Sequence, residues 1–393
     1  MIMSRNVFLC LLILLCSCGK DDSYKEVNIE LSQQQCEIRT ANNSFANKLF
    51  LGVNKENENS VISPFGFQVV MSMFANGAND DVRNEVLEKM GLSDHSLNAI
   101  NEYNKLLYSG LQRGGKKSPN RLKMKNALWL QEGHSVNDPF SEIIKEYYGT
   151  GIYKVDFSNR ESANSKIFKW IGETDNLNLN IPFDKKTNFI VTDFCSFSGE
   201  WKTPFENSNT AQLIFTNEDG SEKSVPTMCD SRRQLYYETE DYQLTELKYK
   251  NESYSMLVFL PKEGKKVEDV INSIRWNELE FNNASVDLKM PKFNVTTVNN
   301  FAKVLEDSGW EKIFEPKSLQ GITDNARLSF FIQNTNIEIN EKGATVSSVT
   351  IGGDDDLVPE IKKATMNVNR PFVFAIRENS TGVLLLIGKI AML

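Results

Sequence analysis

The stretch Glu341-Lys342-Gly343-Ala344-Thr345-Val346-Ser347-Ser348-Val349-Thr350-Ile351-Gly352-Gly353 decides how this chain is read. Before it, Asn336-Ile337-Glu338-Ile339-Asn340 alternates polar and apolar, the period of a half-buried strand. After Gly343 the residues stay small or β-branched, as strands prefer. The run then meets two glycines, the aspartates at 354–356 and Pro359, which no core strand tolerates. From Ala344 to Asn369 there is no strong hydrophobic anchor. A connection of that length inside a compact domain is functional or disordered, and we read it as functional. It is an exposed loop that can still become a strand.

Alternate residues support this reading. Ala344, Val346, Ser348, Thr350 and Gly352 are small and neutral, so one face of such a strand enters a core cheaply. No proline lies between Gly343 and Asp356, so each N–H can join a ladder. Asp354 falls in the same alternating set and is expected to stay near solvent, because burying an isolated carboxylate is costly.

The chain has 393 residues, 40% hydrophobic and 24% charged, enough for a sizeable core. The net charge is −8, which argues against a nucleic-acid partner, since phosphate binding needs a basic face. Two histidines, His95 and His134, leave few candidates for a metal site or a His-dependent triad, and no metal or cofactor is expected. The sequence holds no G-x-S-x-G, so an ordinary enzyme is not the expectation.

Arg5 precedes a short apolar run, Val7 to Leu15, of signal-peptide length. Leu15-Cys16-Ser17-Cys18 resembles the bacterial lipoprotein signal, with Cys18 the residue that would carry lipid. The acidic Gly19-Lys20-Asp21-Asp22 that follows resembles an export tag for the cell surface. The expected organisation is a signal peptide over 1–17, a polar tether over 18–35 and one domain over 36–393. The chain then meets a membrane only through a lipid anchor, as an outer-membrane lipoprotein exposed at the surface. With Cys18 lipidated, Cys36, Cys195 and Cys229 remain, an odd number that reads as buried, unpaired thiols.

Along the chain, helices are expected over 36–50, 67–73, 82–90, 99–111, 139–148, 162–172, 267–274 and 298–306. Residues 113–120 read as a solvated basic loop. Strands are expected over 123–130, 151–157 and 187–197, several between 216 and 260, and one over 285–290. Two apolar strands over 372–376 and 383–387 form a hairpin. Helices dominate the first half and strands the second, without a βαβ rhythm. That is α+β with mostly antiparallel sheets.

In order, the motifs spell a family. Ser60-Val61-Ile62-Ser63-Pro64, Asn126-Ala127-Leu128-Trp129 and Ser198-Gly199-Glu200-Trp201-Lys202-Thr203-Pro204-Phe205 come first. Met256 to Gly264, Met290-Pro291-Lys292-Phe293, Ile339 to Ala344 and Asn369-Arg370-Pro371-Phe372-Val373-Phe374 follow. Together they resemble the serpins over roughly Cys36 to Leu393. The resemblance implies one domain of three sheets, about eight to nine helices and a reactive-centre loop over about 344–370. It implies a metastable inhibitor of serine, or cysteine, endopeptidases. A protease cuts the loop, forms an acyl-enzyme, and is trapped when the loop inserts into the central sheet; insertion of this kind is a known route for releasing stored strain.

By that resemblance the loop hinge comprises Glu341, Gly343, Ala344, Thr345, Val346, Ser347 and Ser348. Counting from the hinge places the reactive bond at Leu357-Val358, which suits elastase-like or chymotrypsin-like proteases. Counting back from Pro371 places it at Glu360-Ile361, and Lys362 or Lys363 would suit a trypsin-like enzyme. Beneath the sheet the family has an Asn and a His clustered with a Ser; here Ser63, Asp193 and Gln333 occupy those places. A buried Asp beside a neutral amide has reason to hold a raised pKa. The alternative function is a non-inhibitory binding or chaperone protein, cleaved as a simple substrate. A monomer is expected.

Overall fold

The computed structural model describes residues 28–112, 118–171, 181, 183, 187–343 and 362–393. Among these are eight α-helices and fourteen strands. The signal segment, Cys18 and residues 344–361 lie outside the described residues, as does most of the basic loop.

The first helix, α1 (Gln33–Val53), starts earlier than apolar spacing suggests. Ser32 caps it: the hydroxyl accepts from the Gln35 N–H at 3.3 Å, and the Ser32 N–H donates to Gln35 Oε1 at 2.9 Å. The polar tether expected over 18–35 is therefore too long at its far end. Ile29 is buried and its N–H donates to Ser380 Oγ at 2.9 Å. Residues 29–35 belong to the domain.

The helix α2 (Pro64–Gly77) has no charged residue and is buried on all sides except at Asn76. Ser63 caps it by accepting from the Gly66 N–H at 3.1 Å, and Pro64 occupies the first turn, where its missing N–H costs nothing. The helices α3 (Asp80–Lys89), α4 (Leu97–Leu111) and α5 (Asp138–Tyr147) pack around it.

A five-stranded sheet lies above α2 in the order β10 (Phe293–Asn300), β11 (Phe331–Ile339), β4 (Phe189–Gly199), β2 (Asn120–Gln131), β3 (Gly151–Val155). Its pairs are antiparallel except β11 with β4 and β2 with β3. Phe331 of β11 stacks on Phe67 of α2 with centroids 5.5 Å apart, which seats the sheet on the helix. A second apolar cluster, including Trp129, Ile190, Phe194 and Ile332, fills the other face under α6 (Arg160–Ile171).

The remaining strands form one hydrogen-bonded sheet. Its order is β1 (Ser60–Ile62), β14 (Leu384–Ile390), β13 (Phe372–Glu378), β8 (Tyr254–Pro261), β7 (Tyr242–Lys248), β6 (Glu222–Glu238), β9 (Asn282–Pro291), β12 (Lys362–Asn367), with β5 (Thr210–Thr216) also on β6. The 17-residue β6 carries β5 along its first part and β7 along its last. The expected hairpin is β13 with β14. The helix α7 (Val267–Ser273) packs on β8 and β13.

Two expectations fail locally. No helix begins at Val298: that residue pairs with Asn334 inside β10, and α8 (Phe301–Asp307) starts three residues later. Asn300 makes the break, its Oδ1 accepting from the Ala302 N–H at 3.2 Å. Of the described cysteines only Cys195 is buried; Cys36 and Cys229 are half-buried, and all three are free.

Candidate functional site

The site is the seam between β4 and β11. The two strands run parallel and pair from Phe331 with Val191 to Ile337 with Phe197. Parallel ladders are slightly weaker per residue than antiparallel ones. Each strand has its other edge already occupied, β4 by β2 and β11 by β10, both antiparallel.

At the foot of the seam sit Ser63, Asp193 and Gln333, brought together as the sequence led us to expect. The Gln333 amide makes three bonds. Its Oε1 accepts from the Ser63 N–H at 2.7 Å; its Nε2 donates to the Ser63 carbonyl at 3.0 Å and to Asp193 Oδ2 at 2.8 Å. One side chain thus links α2, β11 and β4. All three residues are buried, Asp193 at 2% exposure. Burial pushes the Asp193 carboxyl up to about 7, against the pull of the Gln333 amide. The Cys195 thiol is also pushed up, first by burial and then by Asp193. Close by, the Val61 carbonyl accepts from Thr335 Oγ1 at 2.8 Å, Thr297 Oγ1 at 2.6 Å and Asn299 Nδ2 at 3.0 Å, tying β1 to β11 and β10.

Sequence reading missed Gly66. A Cβ on that residue would lie 2.2 Å from Asp193 Oδ2. The bare glycine leaves the carboxyl its space against α2, a signal visible only as a glycine within an apolar helical run.

At the head of the seam the chain turns back on itself. The Asn340 N–H donates to the Gly343 carbonyl at 3.0 Å, and the Gly343 N–H to the Asn340 carbonyl at 3.1 Å. Gly343 has φ of +115°, and a Cβ there would lie 2.1 Å from the Gly199 carbonyl oxygen. Gly343 also bridges Glu200 in antiparallel sense. The Trp201 N–H donates to the Lys342 carbonyl at 2.9 Å, its indole N–H to the Asn340 carbonyl at 3.0 Å, and the Phe205 N–H to the Glu341 carbonyl at 2.8 Å. The Trp201 ring stacks on Tyr249 at 4.4 Å.

Glu341 accepts from Thr210 Oγ1 at 2.8 Å and pairs with Lys292 Nζ at 2.9 Å. Burial pushes its carboxyl up, but Lys292, its own backbone and Thr210 outweigh this and hold it below the usual range. Lys292, Trp201 and Thr210 were not singled out from the sequence as hinge partners. The first two stand inside motifs already quoted, so spacing could have found them; Thr210 had no such signal.

Lys362 opens β12, a strand not foreseen, which pairs in parallel with β9 at the edge of the larger sheet. Lys362 and Lys363, considered as cleavage positions, form its first two residues, and both are exposed. Lys362 Nζ lies 2.8 Å from Glu238 Oε1, and Lys262 Nζ lies 2.7 Å from Oε2. The Lys262 and Lys362 ammoniums hold the Glu238 carboxyl down at about 2. The candidate bonds Leu357-Val358 and Glu360-Ile361, and hinge residues Ala344, Thr345, Val346, Ser347 and Ser348, lie outside the described residues.

Comparison with known proteins converges on this architecture. The family model for serpins, described as serine protease inhibitors, matches residues 40–392. Human Serpin I2 is 27% identical over 367 residues, covering 89% of this chain and 90% of that protein. Human neuroserpin is 28% identical over 367 residues, covering 85% and 86%. Among solved structures, the native state of the thermophilic serpin Tengpin superposes with a TM-score of 0.80 at 24% identity, covering 94% of this chain and 96% of that one. Human thyroxine-binding globulin superposes with a TM-score of 0.79 at 23% identity, covering 91% and 99%. At these identities the two structures bear on the fold. With the family model matching residues 40–392, the motifs in order and the parallel seam in place, this chain belongs to the serpin family.

Proposed function

We propose that this serpin inhibits serine endopeptidases, and by the same acyl-enzyme chemistry cysteine ones, by inserting its cut loop between β4 and β11. The observation that carries this reading is the direction of the chain at Gly343. The antiparallel bridges from Gly343 to Glu200 and to Asn340 show the backbone already reversed at the head of the seam. A strand continuing from Ala344 would run antiparallel to both β11 and β4. Insertion would replace one parallel pairing by two antiparallel ones, a gain in hydrogen bonds and in their geometry. The small alternate residues Ala344, Val346, Ser348 and Thr350 meet the steric demand of the core side.

The reactive bond in this reading is Leu357-Val358, with an apolar side chain for an elastase-like or chymotrypsin-like pocket. Cys18 carries the lipid that fixes the inhibitor at the outer surface of the cell. Incubation with elastase, chymotrypsin, trypsin and a Glu-specific protease, followed by denaturing gels, tests the function. A covalent complex with one of the first two is expected. Clean cleavage by all four without a complex would leave the non-inhibitory binding or chaperone reading. The mass of the released C-terminal peptide identifies the bond.

A further inference from the structure

We propose that Asp193 is held as a neutral acid that hydrogen-bonds β2, β4 and β11 together above α2, and that loss of its proton loosens the seam through which the loop inserts. This deepens the function proposed above and rests on it for its biological meaning, though not for its chemistry.

Two observations place a proton on Asp193, and a third fixes where its carboxyl sits. The first is the charge around it. Neither α2, β1 nor β10 contains a charged residue, and β4 contains no other. On β2 the cations Arg121, Lys123 and Lys125 occupy alternate positions, paired with Ser198, Ser196 and Phe194, so they lie on the opposite face from Asp193. The one charge of β11, Glu338, is five residues beyond Gln333 toward the hinge. From α4, Tyr108 faces the site, and burial holds its phenol above the usual range. The helix's charged residues, Glu102 and Lys105, lie on other turns; Lys105 pairs with Glu146. Cys195 likewise stays neutral. Among the described residues no cation pairs with Asp193, and a buried carboxylate without one is strongly disfavoured.

The second observation is an orphaned acceptor. Asn126 on β2 is the direct antiparallel partner of Asp193, so the two side chains share a face within reach of each other. Asn126 is buried, and among the described residues its Oδ1 has no hydrogen-bond donor. A carboxylate cannot supply one; a carboxylic acid can, through its O–H. The third is the contact with Gly66, where only a residue without Cβ lets the carboxyl rest against α2. The protonated acid thus accepts from Gln333 of β11 and donates to Asn126 of β2. It ties the strands on both sides of β4 into one unit. Ionisation removes the bond to Asn126 and leaves an uncompensated charge, relieved when the sheet opens and water reaches the carboxyl.

The sign follows from linkage. The acid's proton is held more tightly in the closed sheet than in an opened or unfolded chain. Its stabilising contribution is complete below the ordinary aspartate value. It declines as pH rises and is gone once the pH passes about 7. Acid locks the seam, and neutral pH frees it.

The test compares the full chain with Asp193→Asn, which keeps size and stays neutral. Unfolding rates in urea, followed by tryptophan fluorescence, are measured from about pH 4.5 to about pH 8. The ratio of wild-type to D193N rates is expected to rise by up to about tenfold per pH unit through the lower part of this range and then level off. A ratio independent of pH overturns the proposal. The wild type alone gives a second reading should D193N fold poorly. Infrared difference spectra between about pH 5.5 and about pH 8.5 are expected to show a buried protonated carboxyl band that disappears with base; its absence at the lower pH also overturns the proposal. Neither measurement uses a protease, so failure of inhibition and failure of the acid lock remain separable.

Discussion

The two ends of the reactive loop are anchored by different physics. At the entry end, Glu341 is 8% exposed and shares the turn with a left-handed Gly343 and three hydrogen bonds from Trp201 and Phe205. At the exit end, β12 lies on a sheet edge, paired in parallel, with Lys362, Lys363 and Thr365 exposed and only Met366 fully buried. Its charged tether, Lys362 to Glu238, joins side chains that are 57% and 33% exposed. The entry end is built as a pivot that does not let go. The exit end is held by pairings that water competes for. A cut between them leaves the upstream piece attached where the seam begins, which is what strand insertion requires.

The contrast can be broken by experiment. In the proposed mechanism, cleaving the loop frees the upstream segment from the exit anchor to insert; the melting temperature of the cut protein is then expected to exceed that of the intact one by more than about 10 °C. An unchanged melting temperature would refute the pivot. Next in size is Gly343→Ala. A Cβ there meets the Gly199 carbonyl, and the φ of +115° is strained for alanine, so a loss of about 3 kcal/mol is expected in urea unfolding. Thr365→Ala on the exposed side of β12 is expected to change stability by less than about 0.5 kcal/mol, and an equal loss at both ends would erase the distinction.

Effects of intermediate size separate the two carboxylates. Glu341→Gln keeps the Thr210 bond but not the charge facing Lys292, and is expected to cost about 1 to 2 kcal/mol. Glu238→Gln sits in partly exposed pairs and is expected to cost less than about 1 kcal/mol. Its contribution depends on pH in a stated direction. Because the Glu238 carboxyl is depressed from 4.5 to about 2, its stabilisation is present above the ordinary value and fades as pH falls toward about 2. Asp193 runs the other way, stabilising in acid. Stability differences between wild type and each variant, measured across pH, should slope in opposite senses for E238Q and D193N.

Legibility in the sequence followed the strength of local signals. The apolar α2 with its Ser-Pro start and the β13–β14 hairpin were readable because long apolar runs bounded by cap and turn residues mark both. β10 was misassigned near Val298 because Asn300 serves as a strand end and a helix cap at once. β12 was not foreseen because its Lys-Lys-Ala-Thr-Met-Asn composition reads as polar loop; pairing with β9 makes it a strand. The cluster of Ser63, Asp193 and Gln333 was anticipated as a set, but its bonds, the Gly66 contact and the orphaned Asn126 oxygen were not.

By itself the sequence determined the family, most of the helices and the small, proline-free run after Gly343, because those depend on residue type and spacing along the chain. Only the tertiary structure decided that β4 and β11 run parallel with a seam between them, that the backbone has reversed at Gly343, and that among the described residues no cation stands beside Asp193. Those facts join residues as far apart as Asp193 and Gln333, and no local pattern records which neighbours a folded chain brings together or which charges it leaves alone.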